Sequence, residues 1–194
     1  MSPFTIIAYY TQGNQYEQLS RNLTKSCNDL NLPLFLKPIE DLGSWAKNTH
    51  YKASFIQECL GKFQNNLVYV DVDAIFRSYP KLFEDLNCDI AYRTENFRWR
   101  SNEALSGTLF LRNNDRVKSF VQSWIDLNNE NPADRLKPST WEQVNMQKAV
   151  LKNRGIKYYN LPPQYTYIFD HTKSLYPDII PVIEHFQASR KADI

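Results

Sequence analysis

Two carboxylates close an apolar run. In Leu67-Val68-Tyr69-Val70-Asp71-Val72-Asp73, β-branched and aromatic residues lead straight into Asp71 and Asp73. The run 67–70 reads as a buried parallel strand. An ionised carboxylate without a partner is far too costly to bury, so the pair belongs at the open carboxyl end of that strand, where ligands bind in open α/β sheets. Side chains two apart on an extended chain share a face, with α-carbons roughly 6.5–7 Å apart. From there the two carboxylates can hold a hard divalent cation through oxygen ligands at about 2.0–2.2 Å, and through it a phosphate. The competing reading is a loop of solvated acids; the direct junction with the apolar run favours the metal.

The elements around this strand follow from hydrophobic periodicity. Residues 4–10 form a first apolar strand, closed by Tyr9, Tyr10 and Thr11, with Gly13 and Asn14 in the turn. Tyr16, Leu19, Leu23, Cys27 and Leu30 recur at helical spacing, and 34–36 begins a second strand. Strand, helix and strand at this spacing predict a βαβ unit and a parallel sheet. After an irregular stretch over 42–50, Tyr51, Phe55, Cys59, Leu60 and Phe63 predict a helix with Lys52 in its first turn. A cation there opposes the helix dipole, which hints at an anionic ligand; a solvated lysine is the alternative. Downstream, 81–86 is a short helix, 89–92 a strand, and 94–102 a loop or edge hairpin. The strand 105–111 is interrupted by Gly107, which marks a bulge or the close approach of a ligand. Asn114 or Asp115 caps the next helix. A polar loop covers 128–139, and Thr140-Trp141-Glu142-Gln143 reads as a capping box for a helix to about 153. Residues 182–185 form a last short strand.

The chain has 194 residues, a net charge of +2 and 42% hydrophobic residues, which suits one soluble globular domain. That charge makes no electrostatic case for duplex nucleic acid or an anionic membrane. Aromatic content of 14% suits a binding groove or a well-filled core. Cys27, Cys59 and Cys88 are odd in number and widely spaced, so neither a disulfide framework nor a zinc knuckle is expected. Residues 1–4 lack a basic and apolar leader, and no stretch reaches the roughly 20 apolar residues of a membrane span. The expected location is the cytoplasm, with no sequence sign of an obligate protein partner.

Taken together, these residues resemble the glycosyltransferases of the GT-A fold, in particular small nucleotide-diphospho-sugar transferases. Val70-Asp71-Val72-Asp73-Ala74 with Tyr79-Pro80 resembles that family's Asp-X-Asp motif. Trp45 and Asn48 with residues 52–56 resemble its helix beside the nucleotide, and Ser106-Gly107-Thr108 the segment lining its sugar pocket. The resemblance spans residues 4–191. It implies a single Rossmann-like α/β domain over 1–194, with a central mostly parallel sheet flanked by helices and a tail from about residue 182 closing over the donor. It implies transfer of a sugar, with retention favoured, from a nucleotide-diphosphate sugar (UDP expected) to a glycan, protein, small molecule or modified nucleobase. The implied cofactor is Mn²⁺ or Mg²⁺, held by Asp71, Asp73 and His185, with His171 the rival of His185. An imidazole beside carboxylates suits Mn²⁺ better. Donor contacts would come from Tyr9, Tyr10, Thr11, Lys52, Asp71, Val72, Asp73, Ser106, Gly107, Arg190 and Lys191. Catalytic roles would fall to Glu142, Gln143 and Asp73.

Other classes also place such acids after an apolar strand. A haloacid-dehalogenase-like phosphohydrolase normally carries its motif near the N-terminus and a second acid pair later, which this chain lacks. A nucleotidyltransferase needs an N-terminal Gly-rich basic loop, also lacking. A catalytically silent nucleotide-sugar-binding module is the remaining alternative.

Overall fold

The computed structural model describes residues 2–97, 100–132, 134 and 136–186. In chain order the elements are β1 (Phe4–Thr11), α1 (Tyr16–Asp29), β2 (Leu34–Ile39), α2 (Trp45–Lys62), β3 (Asn66–Val70), β4 (Ala74–Phe76), α3 (Leu82–Asp85), β5 (Ile90–Phe97) and β6 (Arg100–Leu111). They are followed by α4 (Asp115–Glu130), α5 (Glu142–Lys152), β7 (Tyr158–Asn160), β8 (Tyr167–Ile168), α6 (His171–Leu175) and β9 (Ile183–His185).

Six strands form the central sheet in the order β2-β1-β3-β6-β5-β7. β1 pairs in parallel with β2 and β3, and β5 with β7; β6 runs antiparallel to both of its neighbours. The sheet is therefore mostly parallel, with β6 the one reversed strand, and the carboxyl ends of β1, β3 and β5 share an edge. The alternation of strand residues fills two cores. Ile7, Leu67 and Tyr69 face α2, α4 and α5 with Phe55, Trp124 and Met146. Ile6, Ala8, Val68 and Val70 face α1 with Leu23, Cys27 and Phe83. All three cysteines are free and buried, as small hydrophobes usually are. Among the described residues no helix is long and apolar enough to cross a membrane.

A second sheet, β4-β9-β8, packs beside the first. β4 pairs antiparallel with β9 in the register Ala74↔His185, fastened at its far end by Arg77 Nε donating to Glu184 at 2.7 Å. This pairing returns the C-terminal strand to the residue after Asp73.

Four expectations need correction. α2 begins at Trp45, inside the stretch expected to be irregular, with the Ser44 hydroxyl accepting from Lys47 N at 3.2 Å. Lys52 is thus mid-helix and buried, and the dipole argument for it lapses. Thr140 does not cap α5: it ends a 3-10 turn and its hydroxyl donates to Lys137 O at 2.8 Å. α4 continues to Glu130, three residues into the expected loop. β3 stops at Val70, and 71–73 turn into β4 with Ala74 N donating to Asp71 O at 2.9 Å. Asp71 and Asp73 do not share the face of an extended strand; the β4–β9 pairing orients Asp73 instead.

Candidate active site

The carboxyl end of β3 is where the two layers meet. Tyr69 and Asp71 project toward α2 and α5, and Asp73 meets His185 from the small sheet. Lys52, on the inward stripe of α2, is 3% exposed. A lone ammonium at that depth would be prohibitive. It is matched by Glu142 Oε1 at 2.7 Å and Asp71 Oδ1 at 3.2 Å, and donates to Ser106 Oγ at 3.0 Å. Its nitrogen also stands 5.0 Å from the centre of the Tyr69 ring. Burial pulls the Lys52 ammonium down more than any other single influence. The charges of Asp71 and Glu142 together outweigh burial and hold it above its ordinary value.

Glu142 opens α5 and is 6% exposed. Its Oε1 also accepts from the Ser106 hydroxyl, while its Oε2 is buried with no hydrogen-bond partner. Its backbone oxygen takes Trp124 Nε1 at 2.9 Å, which ties α5 to α4. A carboxylate oxygen left without a donor is expensive, so it is a natural acceptor for a hydroxyl on a ligand. Gln143, next along α5, donates its amide to Glu103 on β6.

Asp71 Oδ1 accepts from Tyr69 OH at 2.8 Å. Burial, then the Asp71 charge, push the Tyr69 phenol well above its usual value, so it stays a donor at neutral pH. Asp71 N donates to Gly107 O at 2.9 Å. Gly107 is packed so closely that a Cβ there would stand 3.2 Å from Asp71 Oδ2 and 3.3 Å from His185 Cε1. The sequence offered a bulge or a ligand's approach at this glycine: β6 does shift register against β5 between Leu105 and Phe110, and two side chains converge over Gly107. His185 is 4% exposed. Its Nε2 lies 2.8 Å from Thr108 Oγ1, and its Nδ1 3.5 Å from Asp73 Oδ1. With the Nε2 proton given to Thr108, Nδ1 keeps the lone pair that a metal would use. His171 heads α6, its backbone N–H donating to Asp170.

The donor-side residues divide between the faces of β1. Tyr9 packs toward α2, edge-on to Tyr51 at 5.3 Å, and its hydroxyl donates to Asn48 O at 2.7 Å. Tyr10 points to the opposite face, where it lines an open groove with Arg21, Lys25 and Leu36. Thr11 is buried and accepts from Asn14 Nδ2 at 2.8 Å. The Val72 side chain is part of the core beside α1, so only its backbone is left to face a ligand. Arg190 and Lys191 lie outside the described residues.

Sequence reasoning missed three supporting groups. Tyr69 stands two residues before Asp71 and shares its face, a spacing that could have revealed it. Glu103 sits in the polar hairpin and carries no comparable signal. Thr108 appeared only as part of the glycine-containing segment, without its role under His185.

The raised Lys52 value has a consequence for alkaline stability. The folded chain binds this proton more tightly than the unfolded chain does, so the contribution is whole below about pH 10.5 and is lost as pH rises through the folded value. Urea unfolding of wild type and Lys52→Met between pH 8 and 11.5 is expected to show a shallower alkaline decline in the variant. An identical slope would rule out a tightened proton at Lys52.

No protein-family model matches this sequence, and no curated protein matches it. Solved structures do. A glycosyltransferase involved in the glycosylation of the major capsid of PBCV-1 superposes with a TM-score of 0.74 at 16% identity, covering 98% of this chain and 95% of that one. The glycosyltransferase GlyE of Streptococcus pneumoniae TIGR4 superposes with a TM-score of 0.61 at 14% identity, and its apo form with 0.63 at 14%. These cover 94% and 95% of this chain, which spans 54% of either GlyE chain. The likeness is one of fold.

Proposed function

We propose that this chain transfers a sugar from a nucleotide-diphosphate donor, UDP-linked in the first instance, with the help of a divalent cation. The observation that carries the reading is the convergence of Asp71 Oδ2 and His185 on Gly107, with Asp73 against His185 and the buried Lys52–Glu142 pair alongside. The fold shared with three glycosyltransferase structures supports it.

Among the described residues no three His, Cys, Asp or Glu side chains form a ready-made metal cage. The donor set nonetheless fits Mn²⁺: two carboxylates and one imidazole, with the remaining positions open to phosphate and water. Asp71, Asp73 and His185 would hold the ion. When bound, it would stabilise the charge that grows on the departing diphosphate.

The remaining chemistry belongs to the chain. Lys52 pairs with Glu142 and, together with Ser106, fixes its Oε1. Oε2 then accepts from a hydroxyl of the donor sugar and orients the anomeric carbon. Tyr69 and Lys52 occupy Asp71 Oδ1, which leaves Oδ2 for the cation. Gln143, at the next position of α5, is held by Glu103. Retention at the anomeric centre is the expected outcome.

A thermal-shift screen with UDP- and GDP-sugars, with and without Mn²⁺, tests the reading. A rise in melting temperature is expected with a nucleotide sugar only when Mn²⁺ is present. Stabilisation by none of them would overturn it.

Gly107→Ala makes a finer test. The new methyl must displace Asp71 or His185 by a few tenths of an ångström. Mn²⁺-dependent stabilisation by UDP is expected to weaken about tenfold, with a stability loss of about 1–2 kcal/mol in the absence of ligand. Unchanged Mn²⁺ dependence would show that these side chains do not share an ion.

A further inference from the structure

Ser106 and Thr108 stand two residues apart on β6, and a regular strand would put both on one face. Here they lie on opposite faces. Ser106 meets Lys52 and Glu142 on the side of α2 and α5, with Lys52 Nζ donating to its Oγ at 3.0 Å. Thr108 is paired directly with Val70, which faces α1 and the small sheet, and there its Oγ1 lies 2.8 Å from His185 Nε2. The reversal has its cause in the ladder. Between the pairs Ala91↔Phe110 and Arg93↔Leu105, β5 advances two residues while β6 advances five. The surplus residues bulge, and a bulge re-aims side chains. Gly107 stands where the strand turns over, its carbonyl oxygen accepting from Asp71 N at 2.9 Å.

Both hydroxyls are enclosed: Ser106 is 4% exposed and Thr108 0%. A neutral imidazole has one proton to place. The 2.8 Å contact at His185 Nε2 is a full hydrogen bond, whereas the 3.5 Å from Nδ1 to Asp73 Oδ1 is too long for a good one. A proton on Nε2 is matched by Thr108; a proton on Nδ1 would be a poorly matched N–H on a buried ring. Nδ1 then keeps a lone pair. Nδ1 and Asp71 Oδ2 stand 3.5 Å and 3.2 Å from one point, the place a Cβ on Gly107 would take. Acceptors crowded round one point call for a cation between them.

We propose that the bulged segment 106–108 is a two-sided positioning device: Thr108 sets the tautomer and aim of His185 for the cation, and Ser106 sets the Glu142 carboxylate for the donor sugar. Neither hydroxyl touches the donor; each acts through the side chain it holds. The inference rests on the sugar-transfer reading for its use, but its Thr108 half is read without any donor.

Two-bond ¹⁵N–¹H NMR of the metal-free protein at about pH 8.5, two units above the ordinary imidazole value, reports the tautomer, with His185 assigned by its loss in His185→Ala. The Nε2–H form is expected in wild type and in Thr108→Ser, which keeps the hydroxyl, and a mixture of forms in Thr108→Val. Titration with Mn²⁺ alone, followed by electron paramagnetic resonance, is expected to show binding about 10–100-fold weaker in Thr108→Val and recovered in Thr108→Ser. Ser106→Ala is expected to act elsewhere. It should cut about tenfold the margin by which a UDP-sugar binds more tightly than UDP, as loss of one hydrogen bond to a charged group would. An Nδ1–H tautomer in wild type, equal Mn²⁺ affinity in wild type and Thr108→Val, or an unchanged margin in Ser106→Ala overturns the proposal. If wild type binds no Mn²⁺, the sugar-transfer reading fails in its metal, while the tautomer still decides whether Thr108 sets His185.

Discussion

Lys52→Met is expected to destabilise the protein by about 3–5 kcal/mol, the cost of leaving a buried charge without its partner. The ammonium is 3% exposed and touches Glu142 at 2.7 Å. Removing it strands a carboxylate that is itself 6% exposed and already has one oxygen without a donor. It also releases Asp71 Oδ1, which would retain only the Tyr69 hydroxyl. Chemical denaturation measures the loss. Adding Glu142→Gln should recover part of it, because the double variant buries no uncompensated charge; additive losses would show that the pair is not coupled. Donor turnover is expected to vanish in the single variant and to stay absent in the double one, since a neutral amide can accept a hydroxyl but cannot reproduce the charge. This separates the structural share of the pair from its chemical share.

Asp73→Asn is expected to do the reverse: little change in stability and a fall of about a thousandfold in turnover. The substitution keeps the shape of a side chain that is 14% exposed and removes only its charge. A bound divalent cation supplies several kcal/mol of transition-state stabilisation, and each 1.36 kcal/mol is about tenfold in rate. The rate is to be read as donor hydrolysis, which needs no acceptor. Asp71→Asn should differ, because Asp71 also faces Lys52; a stability loss is expected together with the loss of rate. If both aspartates can be neutralised without a drop in rate, the acids at the end of β3 have no part in the chemistry.

Much of this arrangement was legible in the amino-acid order. The βαβ start, the aspartates at the carboxyl end of β3 and the return of a C-terminal strand carrying His185 all follow from short apolar runs, which report burial directly. Other parts were hidden for the same physical reason. α2 extends seven residues ahead of Lys52, but of those seven only the small Ala46 is buried and the next buried residue is Lys52 itself, which hydrophobic periodicity cannot count. The Thr140 to Gln143 pattern matched a capping box, yet Glu142 is taken by Lys52 and Ser106 instead of the helix end, a tertiary ion pair overriding a local preference. The turn at 71–73 was read as extended because three residues are too few to reveal a change of direction. The pairing of β4 with β9, 107 residues apart at Arg77 and Glu184, leaves no local trace at all.

The most direct measurement is a calorimetric titration of UDP into the protein with and without Mn²⁺, repeated on His185→Ala. Saturable binding that requires Mn²⁺ in the wild type and is lost in the variant is the result expected if Asp71, Asp73 and His185 hold a cation for a diphosphate. Binding of equal strength without Mn²⁺, or Mn²⁺-dependent binding that survives the loss of the imidazole, would contradict it.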